Sequence, residues 1–174
     1  NIEELIEAFK KVKDIDHPIT VHIHTQKGKG YKLAEENKEP WHYVMPFNIE
    51  DGKPLNNDDS EDYTDVTKEY LMKKMKEDKT VVTITAGTPG NFSFSRKERE
   101  ELGGQFVDVG IAEQTAVALA SGMASKGSKP VFTVVSSFIQ RAYDQLSQDL
   151  CINNNPATIV VSYGGAIGMT DVTH

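Results

Sequence analysis

The stretch FVDVGIAEQTAVALASGMASKG, residues 106–127, carries an acidic residue, Glu113, where a strand-like run gives way to an apolar one. The opening letters FVDVG are typical of a short strand. Small and apolar residues then dominate at helical spacing, which predicts a helix over about 112–126. A strand that leads directly into a helix is the first half of a βαβ unit, so this stretch predicts a parallel sheet.

Three further runs of apolar and β-branched residues extend this sheet. They are TVVTITA at 80–86, KPVFTVVS at 129–136 and PATIVVSY at 156–163. Helical spacing predicts further helices over 138–151 and over 62–78, the latter with Val66, Tyr70, Leu71 and Met75 on one face. Strands that alternate with helices of this length predict an α/β fold, a parallel sheet with helices on both faces.

The part of the chain before this alternation follows a different pattern. The opening NIEELIEAFKKVK predicts a helix capped by Asn1, and ITVHIHT at 19–25 predicts a short strand. From Gln26 to about Asp62 the periodicity disappears, and a structureless segment of this length is either an interdomain linker or a functional loop. We therefore expect the end of one α/β domain, a linker and most of a second domain, which is expected to be incomplete.

The composition argues against several classes of protein. Asp and Glu number 26 against 19 Lys and Arg, a formal net charge of −7, so we predict no nucleic-acid-binding surface. One cysteine excludes an internal disulfide and a cysteine-based metal cage. No apolar run approaches the roughly 20 residues that span a bilayer, and no signal-peptide pattern opens the chain. We predict no membrane partner and a cytoplasmic location.

Side chains suited to chemistry follow three of the predicted strands. Ligands of open parallel sheets bind outside the carboxyl ends of the strands. DVGIAEQ, SSFIQRAYDQ and YGGAIGMTDVTH place Glu113, Phe138, Arg141 and His174 after such ends. Each residue also has a structural explanation, since a Glu in a first helical turn suits the helix dipole, a Phe suits a core and an Arg suits an ion pair. Their joint placement favours a site.

The remaining histidines and glycines give weaker signals. KGKGY at 27–31 lacks the GxGxxG spacing of a dinucleotide fingerprint. His22 and His24 alternate along the predicted strand without a suitable third ligand nearby, which favours ordinary strand histidines over a metal pair. His42 lies in an irregular segment beside Trp41 and Tyr43, where burial of an aromatic cluster needs a reason.

Three segments of the chain resemble a known family. VHIHTQKGKGYKLAEENKEPWH, FVDVGIAEQTAVALASGMASKGSKPV and SSFIQRAYDQLSQDL are similar to the 1-deoxy-D-xylulose-5-phosphate synthase family of transketolase-like, thiamine-diphosphate-dependent enzymes. The resemblance covers nearly the whole chain and is weakest over about 48–101. It implies that 1–31 is the C-terminal end of a diphosphate-binding domain, 32–61 a linker or active-site loop, and 62–174 a pyrimidine-binding domain.

The resemblance implies an activity and a role for each candidate residue. The implied reaction decarboxylates pyruvate and transfers the two-carbon unit to glyceraldehyde 3-phosphate, for isoprenoid, thiamine and pyridoxal synthesis. Glu113 matches the glutamate that hydrogen-bonds N1′ of the cofactor's aminopyrimidine, and Phe138 matches the ring that stacks on it. Tyr31 matches a position that contacts the cofactor, and Arg141 matches an arginine that flanks the site. His42 and His174 match histidines at the substrate end, where an imidazole relays protons.

The resemblance also implies partners that this chain does not hold alone. Family members bind Mg²⁺ and the diphosphate through an upstream Gly-Asp-Gly…Asn motif, which does not occur here, so the Mg²⁺ ligands are expected outside this segment. NNDDSED at 56–62 has suitable ligand types, but we interpret it as a solvated acidic linker. Family members are homodimers, and a second copy is expected to cover the apolar surface of a pyrimidine-binding domain.

The last motif departs from the family pattern. Where the family reads Asp-Arg-Ala-Gly, this chain has SYGG, so Tyr163 replaces the arginine expected to hold the acceptor's phosphate. Further on, Thr170 replaces the family aspartate. A tyrosine offers one neutral hydroxyl in place of a charged fork. These departures favour one alternative, a transketolase-like paralogue with another acceptor. A second alternative, a non-catalytic subunit that supplies half a site, stays open because the Gly-Asp-Gly…Asn motif is absent from this chain.

Overall fold

The computed structural model describes residues 1–55 and 60–164. The chain forms two units, Asn1–Asp59 and Ser60–His174. The second unit contains the sheet, and the first contains two helices and a cluster of aromatic side chains. The assignment of 1–31, 32–61 and 62–174 to particular domains stays a prediction.

The sheet of the second unit has four parallel strands in the order β2-β1-β3-β4. Their bounds are β1 Val81–Thr85, β2 Phe106–Asp108, β3 Lys129–Val135 and β4 Thr158–Ser162. In the register of the central pair, Thr83 lies opposite Val131. The predicted parallel sheet is therefore confirmed, with each strand inside the run of sequence that predicts it.

Successive residues of the two central strands enter two different cores. Val82, Ile84 and Phe132 belong to one apolar cluster, while Val81 and Val131 belong to another. Because neighbouring side chains on a strand point to opposite faces, the two clusters lie on opposite sides of the sheet. Burial on both faces explains why these strands read as nearly continuous apolar runs.

Helices cover both clusters. Their bounds in this unit are α3 Tyr63–Glu77, α4 Arg96–Leu102, α5 Glu113–Ala124, α6 Ser136–Ile139 and α7 Tyr143–Gln145. Three 3₁₀ helices span Pro89–Phe92, Gly103–Gln105 and Gln140–Ala142, and a π-helix spans Leu146–Ile152. Helix α5 packs Ala116 and Val117 into the cluster of Ile84, and α3 packs Leu71 and Met75 into the other. The predicted helices on both faces are confirmed.

Three details of the helices differ from the sequence-based expectation. Only Leu71 and Met75 of the predicted α3 face are buried, since Val66 and Tyr70 are 49% and 60% exposed. Helix α4 was not predicted, because RKEREEL is nearly all charged and shows no apolar period. The single helix predicted over 138–151 is instead a succession of short α, 3₁₀ and π segments, which hydrophobic spacing does not distinguish.

The first unit contains α1 Ile2–Val12 and α2 Lys32–Glu36. Helix α1 begins as predicted, because the Asn1 side chain accepts a hydrogen bond from the Glu3 backbone N–H at 3.1 Å. The strand predicted over 19–25 is wrong. A strand needs a hydrogen-bonded neighbour, and within residues 1–55 the β pairing is limited to one bridge between Phe47 and Pro54.

A charged residue fastens the amino-terminal edge of the sheet. Asp78, just after α3, accepts hydrogen bonds from the Thr80 backbone N–H at 2.8 Å and from Lys129 Nζ at 2.7 Å. The bond from Lys129 is the main cause that holds the pKa of the Asp78 carboxyl well below its usual range. The end of α3 is thereby connected to the start of β3.

We predict that Ile84→Ala destabilises the intact protein strongly. Ile84 is fully buried in the central strand, so truncation leaves a cavity and lowers the free energy of unfolding by about 2–5 kcal/mol. Urea denaturation followed by circular dichroism measures this change. The control Tyr63→Ala removes a side chain that is 92% exposed and is expected to change the free energy by no more than about 0.5 kcal/mol. Equal losses in both variants would contradict the layered core.

Candidate active site

The carboxyl ends of the strands carry the candidate residues of the second unit. Strand β1 leads to β2 on one side, and β3 leads to β4 on the other. Adjacent strands whose connections diverge in this way open a crevice at their carboxyl ends, where α/β proteins bind ligands. Glu113 comes shortly after β2, and Phe138 and Arg141 follow β3. The topology therefore assigns all three to the ligand-binding edge.

Glu113 is the first residue of α5 and is only 1% exposed. Glutamate is almost never fully buried unless it is paired. The helix start favours a negative charge, because the backbone N–H groups of the first turn have no partner within the helix. Ala112, in the N-cap position, provides no side-chain cap. The carboxylate is thus the one anionic group at this helix start.

Arg141 lies against the buried carboxylate. Its Nη1 is 2.9 Å from Glu113 Oε2, and its side chain is 47% exposed. The N–H groups of the guanidinium are not aligned for a hydrogen bond, and Oε2 accepts none from the residues that the structure describes. The contact is therefore an ion pair that leaves an acceptor position on a buried oxygen unfilled. Such a position costs about 1–3 kcal/mol unless a donor occupies it.

The segment after β3 supplies Arg141 and Phe138 from short, irregular helices. Phe138 lies in α6, is partly buried and packs against the cluster that contains Ala116. Arg141 lies in the following 3₁₀ helix next to Ala142, which is fully buried and anchors the segment. The π-helix that follows belongs to a class often found at functional sites.

The ends of β3 and β4 are joined at this edge. The hydroxyl of Ser136, the first residue of α6, donates a hydrogen bond to the backbone carbonyl of Tyr163 at 2.8 Å. Tyr163 has φ of +54°, in the left-handed region that L-residues seldom adopt, and its side chain is half exposed. Tyr163 is therefore held beside the helix that carries Phe138.

The turn before Glu113 is fixed by Asp108, a residue that the sequence did not single out. Its Oδ1 accepts hydrogen bonds from the backbone N–H of Gly87 at 2.8 Å and of Gly110 at 2.9 Å. Gly87 follows β1, and Gly110 follows β2. The signal available in the sequence was the position of Asp108 between a strand and a glycine, at the start of DVGIAEQ.

Tyr31 belongs to a small aromatic cluster in the first unit. Its ring centroid lies 5.0 Å from that of Trp41 and 5.7 Å from that of Phe47. Tyr31 Oη is buried and has no hydrogen-bond partner among residues 1–55 and 60–164. Tyr43, expected beside Trp41 in this cluster, is instead 79% exposed. The segment predicted to be structureless therefore contains a packed centre and the short helix α2.

The two histidines predicted at the substrate end have different outcomes. His42 Nδ1 contacts Lys27 Nζ on the exposed surface of the first unit. His174 lies outside the described residues. The catalytic roles of both histidines stay predictions.

The described part of the chain contains neither a metal-binding cluster nor a membrane-spanning helix. No group of three His, Cys, Asp or Glu side chains that could hold a metal ion occurs in residues 1–55 and 60–164. No helix of the same ranges is long and apolar enough to span a bilayer. The expectation that Mg²⁺ ligands lie outside this segment stays a prediction.

The sequence matches one protein family and is similar along its whole length to several synthases. Residues 59–174 match the family described as "Transketolase, pyrimidine binding domain". The 1-deoxy-D-xylulose-5-phosphate synthase of Halothermothrix orenii is 42% identical over 174 residues, which cover 100% of this chain and 27% of that protein. The synthases from Clostridium perfringens and Acaryochloris marina are 44% and 41% identical, with 100% of this chain and 28% of each relative covered.

The chain is also similar to solved structures, of which one is a transketolase. It is described as a split-gene transketolase in an inactive β4 tetramer, and it aligns with a TM-score of 0.44 and 23% identity over 52% of this chain and 30% of that one. The chain spans about 27–28% of the length of the curated relatives named above. On the match of residues 59–174, the chain belongs to the transketolase pyrimidine-binding domain family, and along its whole length it is similar to 1-deoxy-D-xylulose-5-phosphate synthases.

Proposed function

We propose that the chain is part of a thiamine-diphosphate-dependent enzyme of the 1-deoxy-D-xylulose-5-phosphate synthase type. The proposed reaction decarboxylates pyruvate and joins the two-carbon unit to glyceraldehyde 3-phosphate. Identity of 41–44% to proteins of that name supports the proposal. The observation that carries it is the buried Glu113, with an unfilled acceptor position at the carboxyl edge of the sheet.

The residues at this edge fit an aminopyrimidine. A buried carboxylate oxygen that accepts no hydrogen bond matches a heterocyclic nitrogen that carries a proton. When bound, thiamine diphosphate supplies the carbanion chemistry, and the protein supplies position and electrostatics. Glu113 would hold a proton at N1′ of the ring, because its place at the helix start keeps the carboxyl out of water.

Arg141 and Phe138 would orient the same ring. The guanidinium fixes the direction of the Glu113 carboxylate from one side, through the ion pair at 2.9 Å. Phe138 lies three residues earlier on the same segment and offers an aromatic face, for which offset stacking is favourable. Both residues follow β3 in adjoining short helices, so one segment of the chain would set both contacts.

The remaining parts of the proposal concern residues and partners beyond this cluster. We propose that Tyr31 contacts the cofactor, because its buried hydroxyl has no partner in the described ranges. We also propose that His42 and His174 relay protons at the substrate end. Mg²⁺ and a second copy of the chain would complete the site in the cytoplasm, and that copy would cover exposed apolar side chains such as Ile111, Tyr143 and Ile152, each at least 68% exposed.

We expect Glu113→Gln in the intact protein to lose turnover while it keeps most of its affinity for thiamine diphosphate. An amide is nearly isosteric with the carboxyl but does not share a proton with a ring nitrogen, so the loss should reach about a hundredfold or more. Steady-state kinetics and calorimetric titration with the cofactor measure the two quantities. Glu101→Gln, at an exposed site on α4, is the matched control and should retain wild-type values. Wild-type turnover in Glu113→Gln would rule out the assigned role.

Phe138→Ala is expected to weaken cofactor binding by about fivefold, the equivalent of about 1 kcal/mol for a lost aromatic contact. Phe138→Leu separates stacking from packing, because leucine keeps an apolar side chain in the cluster but has no ring. Calorimetric affinities for thiamine diphosphate should fall in both variants. If Phe138→Leu binds the cofactor as well as the wild type does, Phe138 is a core residue only.

A second candidate function is a paralogue that uses an unphosphorylated acceptor. Tyr163 supports it, because a neutral side chain occupies the position and its backbone is held by Ser136. Under this alternative, turnover with pyruvate is faster with an unphosphorylated aldehyde than with glyceraldehyde 3-phosphate. Tyr163→Arg should then improve kcat/KM for the phosphorylated aldehyde. Efficient use of glyceraldehyde 3-phosphate by the wild type would exclude the alternative.

A further inference from the structure

We propose that Asp108 is a positioning residue that determines where the Glu113 carboxylate lies. It acts by holding together the two glycine turns that follow β1 and β2. The inference rests on the role proposed above for Glu113. Asp108 itself is not assigned a contact with substrate or cofactor.

One oxygen of Asp108 joins two separate turns. Oδ1 accepts the N–H of Gly87 at 2.8 Å and the N–H of Gly110 at 2.9 Å. The two glycines have φ of +74° and +71°, a region that side chains seldom tolerate. Two backbone N–H groups from different connections therefore converge on one carboxylate oxygen, and the chain turns sharply after each of them.

The two turns are also in close steric contact. A Cβ placed on Gly87 would lie 3.2 Å from Ile111 Cγ1 and 3.3 Å from the Ile111 backbone nitrogen. The N–H of Ala112 donates a hydrogen bond to the Gly110 carbonyl at 2.7 Å, which closes a tight turn. The backbone from Gly110 to Glu113 therefore has little freedom to move, so a displacement of Gly110 would also displace Glu113.

The start of α5 depends on this arrangement because it has no conventional cap. Helices α1, α3 and α4 begin with the capping side chains of Asn1, Asp62 and Ser95. Helix α5 begins after Ala112, which offers no hydrogen-bonding side chain. The entry to α5 is therefore held by the hydrogen bonds of Asp108 and of the turn after it, together with the backbone bond from the Val109 N–H to the Thr85 carbonyl at 3.0 Å.

Asp78 provides a matched control at the opposite edge of the sheet. It also accepts a backbone N–H, from Thr80, and it also joins two elements, through Lys129. Its place at the amino-terminal ends of β1 and β3 puts it away from the carboxyl edge that carries Glu113. Loss of Asp78 should therefore lower stability without displacing Glu113.

The test compares Asp108→Ala, Asp108→Asn and Asp78→Ala in the intact protein. In the absence of cofactor, Asp108→Ala should speed amide hydrogen exchange in peptides that contain Gly87 and Gly110 by about tenfold. With cofactor, pyruvate and glyceraldehyde 3-phosphate it should lower kcat by about tenfold to a hundredfold, the scale of a misplaced reacting group, and change KM much less. Asp108→Asn, whose amide oxygen can still accept both N–H groups, should recover most of kcat. Asp78→Ala should lower Tm and leave kcat unchanged.

Three results would overturn the proposal. The first is an unchanged rate of amide hydrogen exchange at Gly87 and Gly110 in Asp108→Ala. The second is a loss of kcat in Asp78→Ala as large as that in Asp108→Ala. The third is a kcat of Asp108→Asn as low as that of Asp108→Ala. If Asp108→Ala does not fold, Asp108→Glu replaces it, because the added methylene displaces the oxygen and should lower kcat more than Asp108→Asn does. The hydrogen-exchange measurement needs no cofactor, so it tests the role of Asp108 independently of activity. Wild-type turnover in Glu113→Gln would instead refute the proposed function.

Discussion

The ion pair between Glu113 and Arg141 is the contact on which the proposed chemistry depends. Removing a carboxylate from water carries a penalty of several kcal/mol, and a partner at 2.9 Å offsets part of it. The first turn of α5 offsets a further part through its unpaired N–H groups. Because Arg141 remains 47% exposed while Glu113 is buried, the pair lies at the boundary between the core and the surface.

The fold delivers the two members of the pair from different strands. Glu113 comes from the connection after β2 and Arg141 from the connection after β3, with β1 between these strands in the sheet. The two apolar clusters keep the strands rigid, since they pack on opposite faces. At the carboxyl edge, Asp108 and Ser136 then join neighbouring turns through hydrogen bonds. The buried Glu113 carboxylate keeps its position because the turns on either side of it are fixed by these hydrogen bonds.

Sequence reasoning predicted the sheet well, because its strands are buried on both faces and every residue of β1 is apolar or β-branched. It was less successful where tertiary contacts decide the outcome. The run 19–25 has strand composition but no neighbour to pair with in residues 1–55, and α4 is a helix without an apolar face. For the site, spacing placed Glu113 and Arg141 at one edge but gave no direct contact between them. The hydrogen bond that Asp108 accepts from Gly110, two residues away, is consistent with the local sequence Asp-Val-Gly. The one from Gly87, 21 residues away, follows from no local pattern.

The most direct test of the account is a crystal structure of the intact protein with thiamine diphosphate bound. In the proposed site a buried carboxyl group, held by a guanidinium, meets the ring nitrogen of the cofactor. We expect Glu113 Oε2 within hydrogen-bond distance of N1′, about 2.6–3.2 Å, with Arg141 still beside the carboxylate. A bound cofactor whose pyrimidine ring lies away from Glu113, with the ion pair unchanged, would contradict it.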